Sequence, residues 1–109
     1  MSEELQAKAN RCFSLEDDGK ALDCLKGIVR DMRQDGAVCQ PKLVILSQKG
    51  CPYCVKEQTR HQEDIAAGVM EIMDVHSPEG VKVVGQNGIE SVPAILLLDC
   101  QNNLIEPES

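Results

Sequence analysis

Three short apolar runs, set apart by polar stretches of helical length, constrain this chain more than any other feature. They are KLVILS (42–47), VMEIMDV (69–75) and SVPAILLLD (91–99), each rich in branched residues. KLVILS shows no polar alternation and reads as a strand buried on both faces. Between the runs lies a helix from about Pro52 to Ala67, closed by Gly68, and then SPEGVKVVGQNG. In that second stretch Ser77 suits an N-cap and Pro78 the first helical position. Strands alternating with helices imply parallel crossovers. After the third run, CQNN forms a turn and LIEP a short fourth strand that returns as a hairpin. The expected class is α/β, with a small mixed β-sheet flanked by helices.

Ahead of Pro41 the pattern is helical throughout. Leu5, Ala9, Cys12 and Phe13 share one face of SEELQAKANRCF. Leu22, Leu25, Ile28, Val29 and Met32 form a stripe in KALDCLKGIVRDMRQDG, with Gly36 where a helix stops. EDDG at 16–19 separates the two. Residues 1–40 are therefore expected to form a helical extension that packs on a core of residues 41–109, in a single domain. Only Phe13 and Tyr53 are aromatic, so the core falls to Val, Ile, Leu, Met and Ala.

A formal charge of -7, with 11 scattered basic residues, argues against a nucleic-acid partner. The apolar runs are far shorter than the roughly 20 residues that cross a bilayer, so no membrane association is expected. MSEELQAKAN is too polar for a signal peptide, and the expected compartment is cytoplasmic. Such a compartment keeps thiols reduced, so the six cysteines are not expected to form a disulfide framework. Cys12, Cys24 and Cys39 read as small core or boundary residues, and Cys100 as an extra reactive thiol.

The chemistry concentrates in KGCPYC (49–54). A structural zinc site needs four ligands, usually in two close pairs, and this C-x-x-C has no second pair. His61 and His76 read as surface residues, and no metal site is expected. A redox role has a mechanism. Cys51 follows a strand and stands at the start of a helix, where unpaired N–H groups and the positive end of the helix dipole favour a thiolate. C-x-x-C cysteines so placed have pKa values of roughly 3.5–7.5, against about 8.5 for a free thiol. Pro52 suits the first helical turn because it has no N–H to lose. Lys49 adds positive charge nearby, and Cys54 lies one turn further in, shielded.

CPYC resembles the active-site tetrapeptide of dithiol glutaredoxins, within the thioredoxin-fold superfamily. GIESVPAILLLD carries a second mark, the Val-Pro that opens the third strand in that family; here it is Val92–Pro93, 42 residues beyond Cys51. Gly50 and Ile45 stand where thioredoxins have Trp and Asp, which directs the resemblance to glutaredoxins. It covers about residues 42–106, leaving extra N-terminal helices and no room for the family's C-terminal helix. The resemblance implies a thioredoxin-like fold and a cis bond at Pro93. It also implies a thiol–disulfide oxidoreductase in which Cys51 attacks, Cys54 resolves, Pro52 and Tyr53 tune the loop, and Lys49, Val92 and Pro93 hold the substrate. The implied substrates are disulfide-containing proteins. The implied reductant is either glutathione or a thioredoxin-reductase-type flavoprotein, with no cofactor bound. The alternative is an iron–sulfur carrier holding a [2Fe–2S] cluster through Cys51 in a dimer.

Overall fold

The computed structural model describes residues 3–36 and 39–106. Its elements are α1 (Glu3–Phe13), α2 (Asp18–Gln34), β1 (Lys42–Ser47), α3 (Pro52–Arg60), α4 (Gln62–Ala66), β2 (Met70–Asp74), α5 (Pro78–Asn87) and β3 (Ala94–Leu98). The class is α/β: a three-stranded mixed sheet in the order β2-β1-β3, flanked by five helices among the described residues. β1 is central, parallel to β2 and antiparallel to β3.

Side chains alternate across β1 as its pleat requires. Leu43 and Ile45 join Leu97 of β3 beneath α1 and α2, in one cluster with Leu5, Ala9, Val29 and Met32. Val44 and Leu46 join Leu96 and Leu98 on the other face, beneath Val83 of α5. The helical stripes expected before Pro41 are thus the faces that cover one side of the sheet. α2 begins slightly earlier than its apolar stripe, because the Asp17 carboxylate caps it by accepting from the Gly19 and Lys20 N–H groups. Gly36 follows with φ +69, a conformation that closes helices and suits glycine. Lys26, nearly buried on α2, is neutralised by Asp64 of α4 at 2.7 Å.

Three expectations need correction. The helix from Pro52 to Ala67 is broken at His61, whose φ -110, ψ 19 interrupts the ladder. Two residues earlier the Thr59 hydroxyl donates to the Val55 carbonyl at 3.0 Å, a contact that often bends helices. The break turns His61 inward, so it is buried instead of lying on the surface. The fourth strand over LIEP is reduced to a single bridge, Leu98 to Leu104, followed by one bond from the Ile105 N–H to the Leu97 carbonyl. Pro107, the end of that stretch, lies outside the described residues.

The third correction concerns sulfur. All six cysteines are paired, as Cys12–Cys24, Cys39–Cys100 and Cys51–Cys54. The α1–α2 hairpin brings Cys12 against Cys24. Lys42 pairs with Leu98, so Cys39 just before β1 and Cys100 just after β3 flank the same end of the sheet, with Cα atoms 5.1 Å apart. Cys12, Cys24 and Cys39 are therefore not free core or boundary thiols, and Cys100 is not a free reactive one. With every cysteine bonded, thiol content lends no support to a reducing compartment. Among the described residues no helix is long and apolar enough to cross a membrane.

On the α5 side, Ser77 caps the helix by accepting from the Gly80 N–H, and Pro78 occupies the first turn, both as expected. Lys42 reaches Glu79 at 2.6 Å and Glu71 at 3.2 Å, tying β1 to α5 and β2. Burial opposes its charge, but the two carboxylates outweigh burial and hold its pKa above the ordinary 10.5. Gly80 is required by close approach: a β-carbon there would overlap the Asp74 carbonyl. Gly80→Ala is expected to destabilise the fold by about 1–3 kcal/mol, the range for overpacking. A urea midpoint equal to the parent's would contradict this seating of α5 on β2.

Candidate active site

β1 delivers the chain to the site. After Ser47 the backbone turns through Gln48–Gly50, with the Cys51 N–H donating to the Gln48 carbonyl at 3.2 Å. Gly50 has φ +82, a conformation that a side chain would strain. Cys51 then takes the N-cap position of α3 in extended conformation, and its Sγ accepts from the Cys54 N–H at 3.1 Å. Pro52 fills the first turn without forfeiting a donor. The Gln58 amide donates to Ser47 Oγ at 3.1 Å and holds α3 against the end of β1.

The two sulfurs are placed unequally. Cys51 is partly exposed, while Cys54 is 1% exposed. They form one disulfide across a single helical turn. A sulfur that caps a helix receives an N–H bond and the helix dipole, and both favour its anionic form. Cys51 is thus the accessible sulfur of the pair, and Cys54 the sheltered one.

The remaining site residues fall around this pair. Pro52 and Tyr53 are exposed on the first turn of α3, Tyr53 at 68%. Lys49 is exposed in the loop two residues before Cys51. The Val92–Pro93 peptide bond is cis. Leu46 pairs with Ala94, the first residue of β3, so Pro93 just before it comes next to Ser47, the last residue of β1 ahead of the Cys51 loop. Neighbouring strands lie roughly 4.7–4.9 Å apart, which puts the Val92–Pro93 segment and the Cys51 loop at one end of the sheet. The ladder ends at Ala94, and Val92 takes no part in it.

The sequence did not disclose the groove beside this end. Leu46, Val75, Val84, Ile89 and Val92 give aliphatic walls to a cavity of about 470 Å³, which Gln48, His76 and Glu90 also line. No motif joins these residues, which come from β1, α5 and the segments after β1, β2 and α5. Ser47 and Gln58 were equally silent, because a bond between them requires the helix to be docked. Among the described residues, no group of three or more His, Cys, Asp or Glu is placed to hold a metal ion. No protein family, curated protein or solved structure matches the chain.

Proposed function

We propose that this chain is a thiol–disulfide oxidoreductase of thioredoxin-like, glutaredoxin-like type, working through Cys51 and Cys54. The observation that carries the reading is the position of Cys51: partly exposed, capping α3 through its sulfur, and paired with a buried Cys54 one turn away. The strand order β2-β1-β3, with β3 antiparallel and Val92–Pro93 at its start, supports the same reading.

In the reduced protein the Cys51 thiolate attacks one sulfur of a substrate disulfide. A Cys51–substrate bond forms, and the second substrate sulfur leaves as a thiolate that takes a proton from water. Cys54 loses its proton and attacks Cys51 Sγ. The Cys51–Cys54 bond closes and the substrate's first sulfur departs, also to be protonated. Two electrons have passed to the substrate, and an external dithiol must return them. Among the described residues the Val92 backbone makes no hydrogen bond, and in this reading an extended peptide adds there as a short strand, with a side chain in the adjoining groove.

Glutathione carries a carboxylate at each end, and a protein that uses it needs donors aimed at both. Lys49 serves one end and Val92 the middle, but Glu90 lines the groove. A protein dithiol, such as a thioredoxin-reductase-type flavoprotein, is therefore the expected donor. The test fixes the protein disulfide and titrates each donor. Turnover should rise with the flavoprotein and stay weak with glutathione. Saturation by sub-millimolar glutathione, with no response to the flavoprotein, would overturn the donor assignment.

A further inference from the structure

The dithiol site sits on a basic island in an acidic protein. Residues 48–61 contain Lys49, Lys56 and Arg60 against Glu57, a net charge of +2; the whole chain is -7, so the rest carries -7 − 2 = -9. The island has an ordered exposed stripe. Tyr53, Lys56 and Arg60 follow at i, i+3 and i+7, one face of α3, and all three are exposed. Lys56 Nζ stands 5.5 Å from the centroid of the Tyr53 ring, and Val55 beside them is 59% exposed.

The acidic member of the segment is committed to Arg60 and His61, which leaves Lys49 and Lys56 as the cations it does not offset. Glu57 is half-buried on the inner side of α3, 3.3 Å from Arg60 and 3.6 Å from His61. Among the described residues, Lys49 and Lys56 join none of the ion pairs, as is true of Lys20 and Lys82 elsewhere on the chain, whereas Lys8, Lys26 and Lys42 each have carboxylate partners. Two uncommitted cations and an exposed aromatic ring therefore face solvent beside the reactive sulfur.

Resting on the dithiol reading, we propose that this face docks acidic polypeptides, with Asp or Glu flanking the cysteine of the partner along α3. The charge is local, which decides how it acts. Carboxylates more than a Debye length away, about 10 Å at 0.1 M salt, are screened. Glu90 in the groove and Asp74 opposite Ser47 are the near ones, so the acidic partner is placed along α3, where it meets Lys56, and not in the groove. Pro52 to Arg60 spans about 12 Å of helix, a footprint that fits several residues of a peptide. A second copy of this chain would bring its own acidic surface, but also its own basic stripe against this one, so an acidic peptide is the better match.

Three peptide disulfides of equal length, with acidic, neutral and basic residues beside the cysteine, test this against protein reduced at Cys51–Cys54. Lys56→Glu is compared with Lys8→Glu, which makes the same change in net charge on α1. The readout is the ratio of second-order rate constants, acidic over basic peptide. At 0.1 M salt the parent should favour the acidic peptide, and Lys56→Glu should lower the ratio about tenfold, within the range of electrostatic steering. Lys8→Glu should leave it near the parent value. The difference between the two variants should close at 1 M salt, where the Debye length is about 3 Å. Equal ratios in the two variants at 0.1 M would overturn the proposal. So would a Lys56→Glu effect confined to glutathione, or one confined to self-association. If the parent reacts with none of the peptides, neutral included, the dithiol reading itself falls.

Discussion

Cys51→Ser is expected to reduce disulfide exchange to the rate of buffer alone, whereas Cys54→Ser should keep the first step and stall at the mixed disulfide. The asymmetry follows from burial and capping. Cys51 is the partly exposed sulfur that receives the Cys54 N–H, and Cys54 is 1% exposed. A hydroxyl at position 51 would still cap the helix, so the fold should survive while the nucleophile is lost. Mass spectrometry of Cys54→Ser after exposure to a peptide disulfide should find the adduct on Cys51. Retained turnover in Cys51→Ser, with none in Cys54→Ser, would reverse the two roles.

The second large effect lies in the other two bridges. Cys39–Cys100 spans 61 residues of sequence and Cys12–Cys24 spans 12. The chain-entropy account assigns about 4 kcal/mol to the first and about 3 kcal/mol to the second. Domains of this size are stable by roughly 5–15 kcal/mol, so loss of both bridges should leave the fold marginal. Paired serine replacements, compared by urea unfolding, should rank the 39–100 pair as the more damaging. Parent-like midpoints for both pairs would show that neither bridge constrains the unfolded chain.

Local signals in the sequence located much of this fold. KLVILS became the central strand because an unbroken apolar run can only be satisfied with both faces covered. Ser77 and Pro78 placed the start of α5, since a cap and a first-turn proline act within four residues. The CPYC pair announced its place at a strand–helix junction, and Val92–Pro93 its place at the start of β3. What escaped depended on contacts distant in sequence. The pairing of Cys39 with Cys100 depends on the antiparallel register of β1 and β3, which no spacing rule reveals. The break at His61 comes just after the Thr59 hydroxyl bonds the Val55 carbonyl, a side-chain choice that periodicity does not reveal. Ile72 lies within an apolar run, yet it is 46% exposed on β2, an edge strand of the sheet. LIEP failed as a strand for a similar reason. Asp99 accepts from the Gln101 and Asn103 N–H groups, a tight turn that leaves one bridge after it.

The central claim is that one of three disulfides is made for exchange and two hold the fold. A graded dithiol redox titration of the parent protein, with alkylation and peptide mapping at each point, addresses it directly. Cys51–Cys54 closes the shortest loop, three residues apart in sequence, and its outer sulfur is open to attack. Cys51 and Cys54 are therefore predicted to take label together, and to re-oxidise together, at potentials where Cys12, Cys24, Cys39 and Cys100 stay unlabelled. If Cys51–Cys54 is instead the last bridge to open, or opens only as the protein unfolds, the assignment of a redox-active dithiol is contradicted.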